Sequence, residues 1–331
     1  MKKVVVIGGG TGVFTVLSGL KNKSYSLSAI LTMADDGGSS GLLREEFGVL
    51  PPGDIRRALL ALSPSSSSML SKLFNYRFKG QSALKGHSFG NLFITALEKI
   101  TGSFSKAVDE AAKILGVKGK IIPVTLESTR LFARLENGLL VVGETNIDIP
   151  KHDGVLKIKE LFLNPSVKAN PKAILAIKEA DLIVMGPGDL YSSLLPTLLV
   201  QGISEAILKS KAKKIYFCNI MTKYGETNNY TPKVFLNILE KYLTKNILDY
   251  LVINVTKPKH EYLKKYIKEK KNFISFDAAE FLGYKVEDLS KKTIISKKSK
   301  TIILLARLLR SGSLLRHDPN KLADVIDKIT F

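Results

Sequence analysis

The sequence has very little cysteine, a shortage of acidic residues and no long apolar segment. Its one cysteine, Cys218, excludes a disulfide framework and a cysteine-based zinc site. The longest uninterrupted apolar runs, such as Ile302–Ala306, are far shorter than the roughly 20 residues that a membrane-spanning helix needs. The N-terminus carries no signal-peptide core, so we expect a cytoplasmic protein without a transmembrane segment.

The shortage of acidic residues leaves the chain strongly basic. Its 331 residues include 50 basic and 30 acidic side chains, which gives a formal net charge of +20. Residues 257–331 alone carry 18 basic and 9 acidic residues. This balance suits anionic ligands such as nucleotides, although a solvated lysine-rich surface is the simpler explanation. Few aromatic residues lie among the lysines, so no DNA partner is predicted.

The first forty residues have the pattern of a βαβ unit. The β-branched run Lys3–Ile7 predicts a buried strand, and apolar residues at helical spacing over Val13–Leu20 predict a helix. A second apolar strand is predicted over Leu27–Met33. The same alternation returns after residue 170, which is typical of a mostly parallel sheet covered on both faces. We therefore predict an α/β fold, a Rossmann-like three-layer α/β/α arrangement.

The middle of the chain departs from this alternation. Two apolar runs flank Asn137-Gly138, the strongest short hairpin signal, so a small antiparallel β insert is expected over about 120–163. We predict a single domain over 1–331, with the lysine-rich C-terminal segment 257–331 packing back on the core.

The sequence predicts where several helices begin and end. The spacing of apolar residues predicts helices over Met69–Phe78, over Ser88–Ile100 with Ser88 as the N-cap, and over Leu194–Leu208. The serine tract at 63–68 predicts a loop rather than a domain linker, because the helical pattern resumes directly after it.

The glycine loop after the first predicted strand is the first candidate site. Backbone amides of such a loop, together with the N-terminus of the next helix, form a cradle for anions. Gly8 and Gly10 fit the dinucleotide fingerprint but Val13 replaces its last glycine or alanine, so NAD is a less expected ligand. The alternative is a turn needed only for packing. The candidate phosphate contacts are Gly9, Gly10, Thr11 and Gly12.

The acidic loop after the second predicted strand is another candidate. Asp35 can take ribose hydroxyls, or Asp35 and Asp36 can hold Mg²⁺ as hard oxygen ligands. The hydroxyls of Ser39 and Ser40 offer phosphate contacts, and a simple polar turn is the alternative. Asp54 is a third candidate metal ligand, or only the N-cap of the helix that follows it.

Candidates for proton transfer and for further ligand contacts follow. Asp36, Asp54 and His87 are the candidate catalytic residues, although a lone histidine beside a helix start is more often structural. A second glycine loop follows another predicted strand at the same sheet edge, and Asn219 ends the next strand. From these loops we select Gly186, Gly188 and Asn219 as ligand contacts. Arg316 suits a pyrophosphate, unless Asp318 beside it only caps a helix.

The motifs taken together are specific. The strings VVVIGGGTG, ADDGGSSG, LPPGDIRRALLAL, GHSFGN, ADLIVMGPGDLYSSLLP and LRHDP occur in this order. They resemble the YvcK family of gluconeogenesis factors, relatives of the CofD 2-phospho-lactate transferases, over essentially the whole chain.

This resemblance implies a cytoplasmic protein that binds UDP-sugars such as UDP-N-acetylglucosamine and supports gluconeogenic growth and cell-wall morphogenesis. By matching motifs it adds Asn91 to the ligand contacts, and it ties Arg316 and Tyr266 to UDP-sugar binding. Extra residues relative to the family fall within 290–313. A homo-oligomer and a cell-wall partner protein are further expectations.

The resemblance leaves two functions open. One is a regulatory binding protein without catalysis. The other is a transferase like its relatives, which move phospholactate from a nucleotide diphosphate with the help of Mg²⁺. Those transferases carry asparagine after their Gly-Pro turn, where this chain has Gly188. We therefore favour the binding protein and keep the transferase as the alternative.

Overall fold

The structure, a computed structural model, describes residues 1–64, 69–289, 293–295 and 299–330, with side chains for all of these except 293–295. Residues 65–68 of the predicted serine loop, and 290–292 and 296–298 of the lysine-rich segment, lie outside the described residues.

The strands form two sheets. In chain order they are β1 (Lys2–Gly8), β2 (Tyr25–Leu31), β3 (Lys120–Pro123), β4 (Arg130–Leu135), β5 (Leu140–Val142), β6 (Ile158–Asn164), β7 (Leu182–Met185), β8 (Lys213–Phe217), β9 (Tyr250–Asn254), β10 (Lys285–Asp288), β11 (Thr293–Ile295) and β12 (Ile302–Ala306). Within the described residues, nine strands form one sheet in the order β11-β10-β12-β9-β8-β7-β1-β2-β3, and β5-β4-β6 form the other. The large sheet is parallel apart from the antiparallel β10–β11 pair.

The helices fill the connections between strands. In chain order they are α1 (Gly10–Leu20), α2 (Gly38–Phe47), α3 (Gly53–Leu62), α4 (Met69–Asn75), α5 (Phe89–Thr101), α6 (Phe104–Ile114), α7 (Glu144–Asp148), α8 (Pro171–Glu179), α9 (Leu195–Leu198), α10 (Ile203–Lys209), α11 (Pro232–Tyr242), α12 (His260–Lys268) and α13 (Pro319–Thr330). A π-helical turn over Leu190–Leu194 precedes α9, and a 3-10 turn covers Ala278–Phe281. In the described part of the chain, none of these helices has the length and apolar character needed to cross a membrane.

The predicted fold class is confirmed. Strand β1 lies between β2 and β7, and Val4–Ile7 are almost fully buried because layers of helices cover both faces of the sheet. The buried apolar side chains form one contiguous cluster, which includes Leu131 of the small sheet and Leu322 of α13. Helix α13 of the C-terminal segment packs against α1.

Three predicted boundaries are wrong. The insert does not begin at 120, because β3 pairs in parallel with β2 at the edge of the large sheet and the antiparallel sheet starts only at Arg130. The predicted helix Leu194–Leu208 is interrupted, because α9 ends at Leu198 and α10 begins only at Ile203, directly after Gly202 with its φ of +94°. Helix α4 stops at Asn75 rather than Phe78. The hairpin at Asn137-Gly138 is confirmed, with φ of +88° at Gly138.

The contact between α1 and α13 requires a residue without a side chain at position 19, and this requirement can be tested. A Cβ at this position would lie 2.0 Å from the backbone carbonyl oxygen of Pro319. Helix propensity alone would make Gly19→Ala stabilising by about 1 kcal/mol. We expect the opposite sign, a loss of about 1–3 kcal/mol in the free energy of unfolding, because α13 must move away. Urea unfolding measures the change, with Ser18→Ala as the matched control. A stabilised Gly19→Ala variant would contradict this packing.

Candidate functional site

The carboxyl ends of the central strands meet at a topological switch point. From β1 the chain moves to β2 on one side, and β7 and then β8 lie on the other side. Open α/β sheets bind ligands in the crevice that this reversal creates. The loops that follow β1, β2, β7 and β8 all border this crevice, and it contains two adjoining cavities.

The first cavity has a volume of about 150 Å³ and is built around the glycine loop. The predicted contacts that line it are Gly9, Gly10, Thr11, Gly12, Gly188, Asn219 and Arg316. Helix α1 starts at Gly10, so its free amides point toward this space. A Cβ at Gly12 would lie 1.7 Å from the carbonyl oxygen of Pro187, which explains why the two glycine loops can touch only with a bare backbone.

The second cavity has a volume of about 410 Å³ and is lined by charged groups. They include Asp35, Asp54, Glu144, Arg56, Arg57 and Arg77. Of the other predicted contacts, Ser39, Ser40 and Asn91 line it as well. Gly10, Thr11, Asp189 and Ser193 border both cavities, so the two form one cleft with the glycine loop at its middle.

Asp54 holds the glycine loop rather than capping its own helix. The predicted N-cap role is wrong, because α3 already begins at Gly53 and Asp54 lies in its first turn. Its Oδ2 accepts a hydrogen bond of 3.0 Å from the Gly10 amide, and its Oδ1 lies 2.9 Å from Nη2 of Arg57. The carboxylate therefore ties the loop after β1 to α3.

The two aspartates of the acidic loop have different surroundings. Asp35 lines the second cavity and accepts a 3.0 Å hydrogen bond from the Gly37 amide. Asp36 lines neither cavity and accepts a 2.9 Å bond from the Thr145 amide at the start of α7. Among the described residues, Asp35, Asp36 and Asp54 do not form a cluster with ligand oxygens within 4.8 Å of one another. The carboxylates that share the cavity are those of Asp35, Asp54, Glu144, Asp148 and Asp189.

His87 lies in a buried hydrogen-bond chain behind the second cavity. Its Nδ1 is 3.1 Å from Oγ of Ser39, and Ser39 Oγ also accepts a 3.2 Å bond from Nδ2 of Asn91. Asn91 Oδ1 in turn accepts a 3.0 Å bond from Nε of Arg56. His87 is 4% exposed and does not line either cavity, so here it positions other side chains. The predicted N-cap role of Ser88 is confirmed, since its side chain accepts from the Asn91 amide.

Burial and crowding shift the pKa values of the charged groups in the second cavity. Burial, followed by repulsion from Asp35 and other carboxylates, raises the pKa of Glu144 to about 9. Burial and the nearby Asp54 also raise the pKa of Asp35. Burial together with repulsion from Arg57 lowers the pKa of Arg56 to about 10. Burial therefore disfavours the charged forms of Asp35, Glu144 and Arg56 alike.

The sequence did not predict a cluster in which one lysine contacts three carboxylates. Nζ of Lys223 contacts Asp148, and it lies 2.9 Å from Asp189 and 3.1 Å from Glu226. Burial acts to lower the pKa of Lys223, but attraction to these carboxylates outweighs it and raises the pKa. Glu226 accepts a 3.0 Å bond from the Tyr191 amide, so the cluster fixes the second glycine loop. No local signal reveals it, because Asp148 and Asp189 lie 75 and 34 residues away in sequence.

The remaining predicted ligand contacts, Gly186 and Tyr266, do not line the first cavity but support residues that do. Gly186 does not line it but makes the turn, with φ of +63°. Tyr266 does not line it either, and its hydroxyl accepts a 3.0 Å bond from the Leu315 amide beside Arg316. Asp318 caps α13, accepting from the Asn320 amide at 2.9 Å, so the capping role and a ligand role for Arg316 are compatible.

The raised pKa of Glu144 predicts a pH-dependent stability difference. The folded protein keeps a proton that the unfolded chain loses above the ordinary glutamate pKa, so stability falls as pH rises toward about 9. Glu144→Gln removes this loss. Its stability advantage over the wild type should grow with pH between about 5 and 9, by at most about 1.4 kcal/mol per pH unit. Urea unfolding at several pH values measures it, with the exposed Glu127→Gln as control. Parallel stability profiles would contradict the shift.

Comparison with known proteins places the chain in a family. Residues 4–294 match the family described as 2-phospho-L-lactate transferase CofD. A Thermotoga maritima protein is 43% identical over 329 residues, covering 99% of each chain. The gluconeogenesis factor of Bacillus subtilis is 39% identical, over 98% of this chain and 96% of that one. A crystal structure of a UPF0052 family protein from Bacillus halodurans superposes with a TM-score of 0.88 at 39% identity, covering 98% and 99% of the two chains. This chain therefore belongs to the 2-phospho-L-lactate transferase CofD family, together with the gluconeogenesis factors that it resembles over nearly its full length.

Proposed function

We propose that the cleft binds a nucleotide diphosphate sugar, UDP-N-acetylglucosamine in particular, and that the protein acts in the cytoplasm as a binding factor for gluconeogenic growth and cell-wall morphogenesis. The observation that carries this proposal is that both cavities share the glycine loop. A diphosphate on that loop would have a cavity at each end, one for each group that it joins.

The groups around the loop suit a diphosphate. The amides at the start of α1, an eleven-residue helix, supply donors and the positive end of its dipole. Arg316 adds a guanidinium, whose planar fork matches phosphate oxygens.

The surroundings of the acid-base candidates favour binding over catalysis. His87 is buried behind Ser39, and Asp54 is already engaged by Gly10 and Arg57. A general acid or base must reach the reacting atoms directly or through one water.

Titration calorimetry with UDP-N-acetylglucosamine tests the binding proposal. We expect micromolar affinity, or about −8 kcal/mol. Arg316→Ala should weaken it by about 10- to 100-fold, because charge-assisted hydrogen bonds to phosphate are lost. Arg307→Ala removes a charge from the same basic segment but outside both cavities, and should leave affinity unchanged. Absence of heat with the UDP-sugar, under conditions where NAD or GDP binds, would refute the proposal.

The second cavity supports one alternative, a Mg²⁺-dependent transferase of the phospholactate type. Asp35, Asp54 and Glu144 present the oxygen donors that Mg²⁺ prefers, and burial, followed by repulsion from neighbouring carboxylates, raises the pKa of Asp35 and of Glu144. A bound Mg²⁺ would neutralise charge that develops on a transferred phospho-group. The chain itself would bind and orient the nucleotide on the glycine loop.

Mass spectrometry tests whether the protein is such a transferase. Incubation with a nucleotide-diphosphate-activated phospholactate donor, Mg²⁺ and candidate acceptors would yield a transferred product if the protein is an enzyme. Asp35→Asn should then reduce the rate by at least about 100-fold, whereas the exposed Glu127→Gln should not. Lack of product with every acceptor, from a preparation that binds the donor, would count against transfer.

A further inference from the structure

The first cavity contains an acceptor atom of Asn219 that has no partner. The side-chain Nδ2 of Asn219 donates a 2.9 Å hydrogen bond to the carbonyl oxygen of Gly188. Because that partner is an acceptor, the orientation of the amide is settled and Oδ1 is the remaining polar atom. Asn219 Oδ1 is buried and has no hydrogen-bond partner in the described part of the chain. A buried acceptor without a partner is costly, and this one belongs to a residue that lines a cavity.

His317 supplies a second acceptor without a partner in the same cavity. This residue is 7% exposed, and the backbone of Cys218 acts to raise the pKa of its ring, which is the effect of a carbonyl that accepts from the ring N–H. The Cys218 amide already donates to Val252, so the ring N–H donates to the Cys218 carbonyl. Its Nε2 is buried and finds no partner among the described residues, so Nδ1 makes the bond to Cys218. Burial lowers the pKa of His317 to about 4, which keeps the ring neutral and leaves Nε2 as a bare acceptor near pH 7.

Two acceptors in one small cavity restrict what can fill it. Phosphate oxygens are themselves acceptors, so they cannot satisfy either atom. The first cavity, about 150 Å³ in volume and continuous with the second, has room for a single ring, since an enclosed cavity of that size holds benzene. A uracil edge offers one N–H between two carbonyl oxygens. A sugar ring offers neighbouring hydroxyls, each of which can donate.

We propose that the first cavity recognises a sugar ring through two hydroxyl donors, one bonded to Nε2 of His317 and the other to Oδ1 of Asn219. This inference rests on the proposed nucleotide-sugar function and names the specificity-determining residues of its site. The ring is the ribose of the nucleotide or the hexose beyond the diphosphate, because the two share this chemistry. His317 then selects for hydroxyl-bearing ligands, while Arg316 binds phosphate.

A double-mutant cycle between protein and ligand tests the proposal. Titration calorimetry compares UDP with 2′,3′-dideoxy-UDP on the wild type and on His317→Asn. Asparagine keeps an N–H near the position of Nδ1 for the Cys218 carbonyl but has no atom at the position of Nε2. We expect the wild type to bind UDP about tenfold more tightly than the dideoxy ligand, and His317→Asn to lose most of that difference. Arg316→Ala should weaken both ligands equally, which makes it the matched control.

A second comparison shows whether the ribose or the hexose occupies the first cavity. The hexose occupies the cavity, and the proposal stands, if two results are obtained together. The wild type binds UDP and its dideoxy form equally, and His317→Asn weakens the binding of UDP-N-acetylglucosamine by about tenfold while the affinity for UDP is unchanged. If His317→Asn alters none of these ligands while the wild type binds UDP and its dideoxy form equally, the proposal is overturned and the binding function survives. Absence of binding by UDP and by the UDP-sugar refutes the binding function itself. Should His317→Asn fail to fold, Asn219→Ala, which removes the other proposed acceptor, replaces it in both comparisons with the same expected and overturning outcomes.

Discussion

The close approach of two backbone segments at the switch point organises the site. The glycine loop and the Gly186-Pro187-Gly188 loop touch at a place where a Cβ on Gly12 would lie 1.7 Å from a carbonyl oxygen. On the other side, a Cβ on Gly9 would lie 2.4 Å from the carboxylate of Asp54. The loop can therefore lie between both neighbours only as bare backbone. The Gly10 amide is bonded to Asp54, the N-terminus of α1 borders the cleft, and a cavity opens on each side of the loop.

Buried charge provides the second constraint on the cleft. Lys223 joins three carboxylates from distant segments, and removing one partner of such a cluster would leave an uncompensated charge. Asp54 similarly joins the glycine loop to α3 through Gly10 and Arg57. The protein as a whole is strongly basic, yet the second cavity mixes carboxylates with arginines. The charge around the cleft is thus set by its own side chains rather than by the net charge of the chain.

The local patterns predicted some features well and failed at others for identifiable reasons. The strand, glycine turn and helix at the N-terminus follow from a β-branched run and helical spacing, and both signals are local. The predicted helix Leu194–Leu208 failed because apolar spacing continues across residues 199–202, where α9 has already ended and Gly202 has a left-handed backbone. The N-cap role of Asp54 failed because the amide of Gly10, 44 residues earlier, takes its carboxylate oxygen instead. Long-range partners compete with local ones, and a single sequence records only the local ones.

By itself, the sequence determined the parallel α/β class, the small hairpin and the position of the glycine loops at the ends of strands. Periodicity and turn chemistry act over a few residues, so they can be read without the fold. Only the tertiary structure decided which acidic side chain enters the cleft and which supports it. It separated Asp35, which lines the second cavity, from Asp36, which holds α7, although the two are adjacent in the chain. It also left His317 and Asn219, two residues that line one cavity, each with a buried polar atom that has no partner in the described part of the chain, because hydrogen-bond satisfaction depends on which groups the fold brings near.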